Sequence, residues 1–501
     1  MTAILEGLSS FADLSFWVFI LLGMLLGLLV GLFPGVTMTM AVALASGFTL
    51  TLEPEQGLAV LLTIYVAGQF GDRIPSILIN TPGTPASIAT TFDGYPMAKK
   101  GNAGLALMIS GIATGVGILA SMVLFVLVAQ PIASFALRFG PAEMFALVLF
   151  GLTVMISIAS KSLLKGLLAG VFGLLLAVVG RDPITGSQRL TFGIDELSSG
   201  IEFIAVIIGL FGIAEVLDQI ITHRPHAARP ISSLGRWWPT KKDLRESLPS
   251  GAIGGAVGLG VGIVPAAGGD IAGLIGWDRA RSASKHPEKF GTGYVGGVAA
   301  SDTASSATLG GSLTTTMALG IPGDSVMAVM IGSMIVWGIQ PGPSLFTERP
   351  DMVVLIAAIM VIATLATTVV SLIRVKGMVK LLDMKPQYLW PVILIFCMVG
   401  TYATTNSMMT VTTMLIAGFV GLGLKRANIP AGPVVLGLLL GPLAESNLRR
   451  ALLIDGPGEL VSSWISIVLL ALTAIVLVGA LLRRDKSKST AAEPAHDVPA
   501  S

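Results

Sequence analysis

Charge is what this sequence has least of. Asp, Glu, Lys and Arg make up 12% of its 501 residues, about half of the ~25% usual in soluble domains, and 53% of the chain is apolar. A water-soluble globule is excluded and an integral membrane protein is expected. The single cysteine, Cys397, lies in an apolar run, so neither an intrachain disulfide nor a multi-cysteine metal site can form. The four histidines, His223, His226, His286 and His496, fall in polar loops or the tail and read as solvated side chains. A net charge of +2 offers no basic surface to nucleic acid. The G-x-x-x-x-G-K-[ST] loop of an ATP-driven pump and the H-E-x-x-H of a membrane metalloprotease are both missing. Gly268-Gly-Asp270 falls short of the G-x-G-D of an intramembrane aspartyl protease, because Ala267 replaces its first glycine and no Tyr-Asp partner occurs. No enzyme is expected, and no cofactor beyond a coupling Na⁺ or H⁺.

Long uncharged runs are what the chain does have. Ser15–Leu52 and Asn102–Leu137 carry no charge at all, and each exceeds the ~20 residues that span a bilayer once. Glu6 and Asp13 precede the first run and no small-residue cleavage site follows Phe33, which favours a retained first helix over a signal peptide. The expected fold is an all-α integral membrane protein of about ten to twelve transmembrane helices plus two re-entrant helical hairpins. Residues 1–222 form a first transmembrane repeat and 223–248 a connecting loop whose Lys, Arg and paired Trp237-Trp238 favour the cytoplasmic side. Residues 249–482 form a second repeat, and 483–501 a polar, Ala/Pro-rich cytoplasmic tail expected to be disordered.

The first hairpin is placed near 71–92. Within this very apolar protein the stretch carries Asp72, Arg73, Asn80, Pro75, Pro82, Pro85 and several hydroxyl side chains. Its candidate arms, Gly71–Thr81 and Thr84–Phe92, would each reach about half of a ~30 Å hydrocarbon core. The tip, Asn80-Thr81-Pro82-Gly83-Thr84-Pro85, would then expose backbone near mid-membrane. That is tolerated only where it is buried in protein or lines a wet cavity. A second hairpin near 301–340 echoes it. Thr81-Pro82-Gly83-Thr84 returns as Ile321-Pro322-Gly323-Asp324, shifted by 240 residues, and Gly31-Leu-Phe-Pro34 returns as Gly262-Ile-Val-Pro265, shifted by 231. Pro141 and Pro386, then Pro183 and Pro430, continue the series. Four matches in one order indicate duplication, with inverted repeats the expected arrangement and parallel ones the alternative. Paired interrupted segments of this kind point to a secondary transporter and its binding site.

Backbone N–H groups at the start of a half-helix can hold a carboxylate. The candidate substrate-binding residues are Asn80, Thr81, Pro82, Gly83 and Thr84 at the first tip and Gly320, Pro322 and Gly323 at the second. Arg73 is added because a guanidinium can grip a carboxylate in two places; an internal pair with Asp72 or Asp302 is its alternative. Asp302, an acid inside a membrane segment, is functional by default. With Thr303, Ser305 and Asp324 it forms the candidate ion-coupling group, with Na⁺ at Asp302 and Ser305, or a proton on Asp302. Asp93, which follows the hairpin and precedes Lys99-Lys100, is expected to cap a loop or make an ion pair rather than hold an ion.

The chain resembles the large membrane subunit of the tripartite tricarboxylate transporters, the TctA family, over about residues 15 to 480. The resemblance rests on Asn80-Thr-Pro-Gly-Thr-Pro85 with Asp93-Gly-Tyr-Pro-Met-Ala-Lys-Lys-Gly101, and on Gly140-Pro-Ala-Glu-Met-Phe145. It continues in Gly180-Arg-Asp182 with Arg189, in Ser282–Gly291, in Leu319-Gly-Ile-Pro-Gly323 and in Gly338-Ile-Gln-Pro-Gly-Pro343. The resemblance implies a multi-pass permease of the bacterial inner membrane. It implies as partners a small membrane subunit of about four helices and a periplasmic substrate-binding protein, and it implies cation-driven import of tricarboxylates, dicarboxylates or related organic anions. Several positions depart from the family pattern. Gly71-Asp72-Arg73 stands for Gly-Gly-Ser, Ser301-Asp302 for Pro-Glu, Ala304-Ser305-Ser306 for Ala-Asn-Asn, Pro265-Ala266 for Pro-Gly, and Asp324 for a small polar residue.

Overall fold

The computed structural model describes residues 2–33, 35–159, 162–182, 185–222, 234–265, 268–381 and 389–490. Pro34, Pro183, Ala266, Pro386, most of the basic stretch before Leu234 and the tail after Thr490 lie outside the described residues. The protein is all-α. Its first helices are α1 Thr2–Ser9, α2 Leu14–Leu32, α3 Met38–Thr49, α4 Pro54–Gly71, α5 Arg73–Ile79, α6 Ile88–Lys99 and α7 Ala103–Ala136. Next come α8 Pro141–Ala159, α9 Leu163–Ala177, α10 Phe203–Ile207 and, past a π-helical segment at Ile208–Ile213, α11 Ala214–Thr222. The later half holds α12 Lys241–Gly262, α13 Gly268–Ala283, α14 Val295–Leu319, α15 Ser325–Val336, α16 Leu345–Glu348 and α17 Pro350–Leu381. α18 Leu389–Thr405, α19 Met408–Arg426, α20 Gly432–Asp455 and α21 Trp464–Thr490 complete it. The only strands among the described residues are the short antiparallel pair Gly180–Arg181 and Gln188–Arg189. α21 continues through 483–490, residues assigned to the tail on composition.

Helix starts are set by local chemistry. Asp13, Thr37 and Asp324 each accept a first-turn backbone N–H with a side-chain oxygen, and Pro54 occupies the first turn of α4, where its missing N–H costs nothing. Thr240 and Asp243 form a reciprocal capping box on α12. Partial burial pushes the Asp243 carboxyl up, but its bonds from Thr240 and the neighbouring Arg236 prevail and hold its pKa below the usual range.

Five helical segments among the described residues are long and apolar enough to cross a membrane unaided: Leu14–Leu32, Ala103–Ala136, Phe203–Thr222, Pro350–Ile373 and Met408–Arg426. Gly432–Val461 with Trp464–Gly479, bent by 69°, makes a sixth if the pair is one span. α14 escapes this count because it is rich in Ser, Thr and Gly. Val295 to Ala318 is buried without interruption, so protein rather than lipid surrounds it.

The chain divides into two compact units, Met1–Arg138 with Glu202–Gly423 and Phe139–Ile201 with Leu424–Ser501. Each unit therefore draws on both sequence halves. In the larger unit α14 packs against α7, α12 and α13, and α2 packs on α4. Two glycine ladders allow these close approaches. Gly23, Gly27 and Gly31 of α2 lie against the backbone of Val60, Ile64 and Gly71–Asp72, and Gly254, Gly258 and Gly262 of α12 against that of Ala300, Ala304 and Thr308. A Cβ at any of them would press into main chain, which is how small-xxx-small stripes bring membrane helices together. The ladders are related by the same 231-residue shift as Pro34 and Pro265. Contacts repeat in the same way. Ser333 donates to Ser46 at 2.8 Å, and the positions related by the 240- and 231-residue shifts, Asp93 and Trp277, are also joined at 2.8 Å.

In the smaller unit α20 packs on α8 and α9, and α21 on α8. The strand pair is tied to α20 by a ring of charges. Arg189 pairs with Asp182 and, at 2.8 Å, with Glu445; Arg449 pairs with Asp182 at 3.0 Å and Glu445 at 2.7 Å. Glu445 and Asp182 hold the pKa of the Arg189 guanidinium above its ordinary value.

Candidate functional site

Both expected breaks are present. At the first, Asp72 interrupts the helix between α4 and α5, and α5, Arg73–Ile79, is a short entering arm within the expected Gly71–Thr81. At the second, α14 has 25 residues and reaches about 37 Å at ~1.5 Å per residue, so this entering arm is long enough to span. The returning arms, 85–99 and 325–336, are short. Asp72 and Arg73 stand at the interruption and pair with each other inside the protein. The arms end where the backbone turns left-handed, at Asn80 (φ 53°) and Gly320 (φ 70°), and Asn and Gly bear that conformation at least cost.

Four helix starts converge around the two tips, all within the larger unit. Thr39 in the first turn of α3 lies 2.9 Å from Ser325 at the start of α15. The first turn of α13 lies beside both tips. A Cβ on Gly268 would lie 3.9 Å from that of Asp324, and one on Gly269 would lie 3.5 Å from that of Ala86. Since first-turn N–H groups lack intrahelical partners, these starts place their positive ends in one region. Asn80, Thr81 and Pro85 are exposed there, whereas Gly83, Thr84, Pro322 and Gly323 are buried and Gly320 is half-buried.

The second tip is closed by its own acid. Asp324 accepts from Met327 N at 2.9 Å and from the Tyr65 hydroxyl, so its carboxylate serves as the cap of α15. At the first tip the Thr84 hydroxyl donates to Asp72 at 2.5 Å, and Ser87 Oγ accepts from Thr84 N at 3.4 Å as the return half of a capping box on the start at 85–88. Asp270, in the first turn of α13, is exposed.

Behind the first tip lies a buried charge cluster. The Arg73 guanidinium, 2% exposed, donates to Asp72 Oδ1 at 2.5 Å, to Ser305 Oγ at 2.7 Å and to Ser306 Oγ at 3.2 Å, and its Nε lies 3.5 Å from Asp302 Oδ1. Asp302 accepts from Thr90 and, at 3.3 Å, from Ser301. Ser110 also stands beside the Asp302 carboxylate, and the Arg73 Nε contact with Asp302 is an ion pair without hydrogen-bond geometry. The structure therefore brings Arg73, Asp302 and Ser305 together and places Arg73 in an internal pair. Thr303 faces elsewhere, toward Gly251 and Gly255 of α12, and Asp324 belongs to the tip rather than to this cluster. The departures at 72–73 and at 305–306 turn out to be in direct contact.

Asp93 is a loop cap. Its Oδ1 accepts from the backbone N–H of Gly291, Gly293 and Tyr294 at 2.8–3.0 Å, and its Oδ2 accepts from Trp277. Tyr65, Thr90, Thr39 and Asp270 were not singled out as site residues in sequence. Tyr65 and Thr90 meet partners more than 200 residues away, and no local pattern marks such contacts.

The tips lie within residues 17–436, which match the model of the tripartite tricarboxylate transporter TctA family. The chain belongs to the TctA family. It is 37% identical over 476 residues, 94% of each chain, to an uncharacterized 52.8 kDa protein in the TAR-I ttuC' 3'region of Agrobacterium vitis. Over 230 residues, 46% of this chain and 95% of the other, it is 34% identical to an uncharacterized protein in the TAR-II ttuC' 3'region of the same species. No solved structure matches. As a TctA-family member the chain is a multi-pass membrane component of a tripartite transporter and works with partner subunits.

Proposed function

We propose that this chain is the permease subunit of a secondary active importer of organic carboxylates, of the dicarboxylate or tricarboxylate class, in the bacterial inner membrane. It takes substrate from a periplasmic binding protein, is joined by a small membrane subunit of about four helices, and is driven by a cation gradient. The observation that carries this reading is the convergence of four helix starts on two backbone breaks. Backbone N–H groups there can receive a carboxylate without a free cationic side chain, which fits a site whose one buried guanidinium is already committed to Asp72. Matching glycine ladders and contact pairs support the reading of the halves as duplicated repeats, the usual frame for such a site. The negative charges of Asp270 and Asp324 oppose an anionic solute, so entry of the solute together with a cation is favoured over entry of the anion alone.

The test is uptake into proteoliposomes holding this chain and its small subunit, using labelled succinate and citrate with and without the binding protein and an imposed cation gradient. Uptake that requires both is the expected result. Equal uptake without a binding protein would replace this reading with a self-sufficient permease.

A further inference from the structure

The cluster behind the first tip holds one cation and two carboxylates with no access to water: Asp72 and Asp302 are wholly buried and Arg73 nearly so. Its oxygen atoms come from four residues in two places, Asp72 at the α4–α5 junction and Asp302, Ser305 and Ser306 on α14. All four surround the guanidinium. Carboxylate and hydroxyl oxygens together are a ligand set for a hard cation as much as for an N–H donor. The hydrogen-bond match with the guanidinium is incomplete, since Arg73 Nε approaches Asp302 Oδ1 only to 3.5 Å, as an ion pair without hydrogen-bond geometry. Charge more than donor geometry therefore holds this side chain in place. Removing it would leave two unsolvated carboxylates, which is strongly unfavourable, and one monovalent cation would supply the same positive charge.

We infer that Arg73 is a built-in counter-cation, whose guanidinium fills the position between Asp72, Asp302, Ser305 and Ser306 that a Na⁺ ion would otherwise occupy, so that this cluster does not bind Na⁺. The inference rests on the reading of the chain as a cation-driven permease for its meaning: a driving cation must then act elsewhere than as Na⁺ in this cluster. Arg73 is a positioning residue here, holding two carboxylates rather than touching substrate.

The experiment is thermal unfolding of the purified full-length protein in detergent, with NaCl replaced stepwise by choline chloride at constant ionic strength. A ligand that binds only the folded state raises Tm with its concentration. The wild type is expected to be indifferent to the exchange, as is Arg73→Lys, which keeps a cation in place. Arg73→Ser, which opens the position, is expected to gain a Na⁺-dependent rise of several degrees. A folded Arg73→Ser protein that ignores Na⁺ would overturn the inference. So would Na⁺-specific stabilisation of the wild type that disappears in Asp302→Asn. Na⁺ stabilisation of the wild type that survives undiminished in Asp302→Asn lies outside the cluster and supports it. If Arg73→Ser does not fold, the wild type and Asp302→Asn still decide. The readout is binding rather than uptake, so failure of the transport reading would be seen separately.

Discussion

Replacing Arg73 by alanine removes the cation that pairs with both Asp72 and Asp302. Four interactions go with it: the 2.5 Å pair with Asp72, the bonds to Ser305 at 2.7 Å and Ser306 at 3.2 Å, and the approach to Asp302 at 3.5 Å. Breaking a buried pair from one side costs about 3–5 kcal/mol. At the ~2–4 °C per kcal/mol typical of mid-sized domains, the apparent Tm should fall on the order of 10 °C in Na⁺-free choline buffer. Removing Asp72 as well should return part of the loss. Asp302 then remains with Thr90 and Ser301, and the coupling energy of the pair should amount to about 1–3 kcal/mol. Thermal unfolding of the wild type, Asp72→Ala, Arg73→Ala and the double variant measures that coupling directly. A double variant no more stable than Arg73→Ala would refute the paired-charge account. In transport, Arg73→Ala should abolish uptake, and recovery in the double variant would exclude Arg73 as a required substrate contact.

Asp93→Ala strands three backbone N–H groups and the Trp277 indole. At about 1.5–3 kcal/mol for a hydrogen bond to a charged group, it should cost at least ~3 kcal/mol and raise amide exchange at 291–294. Gly27→Val and Gly258→Val should each cost about 1–3 kcal/mol or more through overpacking, read as lower Tm and yield. Gly260→Val, with open space around its Cβ, should stay within about 0.5 kcal/mol. Glu445→Gln cuts a charge ring whose members are 25% and 36% exposed at Glu445 and Arg449. Its expected effect on Tm corresponds to under about 1 kcal/mol, and a larger fall would mark the ring as more than a surface network.

The breaks at Asn80 and Gly320 were legible because their chemistry is local: a left-handed residue, then proline and glycine. The length of α14 was not legible, because its Ser, Thr and Gly content hides a 25-residue helix that the protein buries almost whole. Tyr65–Asp324 and Thr90–Asp302 join distant segments and leave no trace in spacing. The glycine ladders are a different case. Gly23, Gly27 and Gly31 stand 231 residues before Gly254, Gly258 and Gly262, the shift already shown by Pro34 and Pro265, so the pattern was present in the sequence and unread. The division into two units could not be read at all. It depends on which helices pack together, and each unit takes helices from both halves.

The most direct test of the central claim, that a substrate carboxylate is received at the first tip, is protection of a thiol placed there. Cys397 is buried and Thr81 is exposed, so maleimide labelling of Thr81→Cys reports the tip with little background. In a Thr81→Cys variant that still transports, the transported acid should slow labelling at a concentration matching its half-saturation, while a cysteine at exposed Thr292 should be indifferent. Unchanged labelling of Thr81→Cys under active transport would contradict the account.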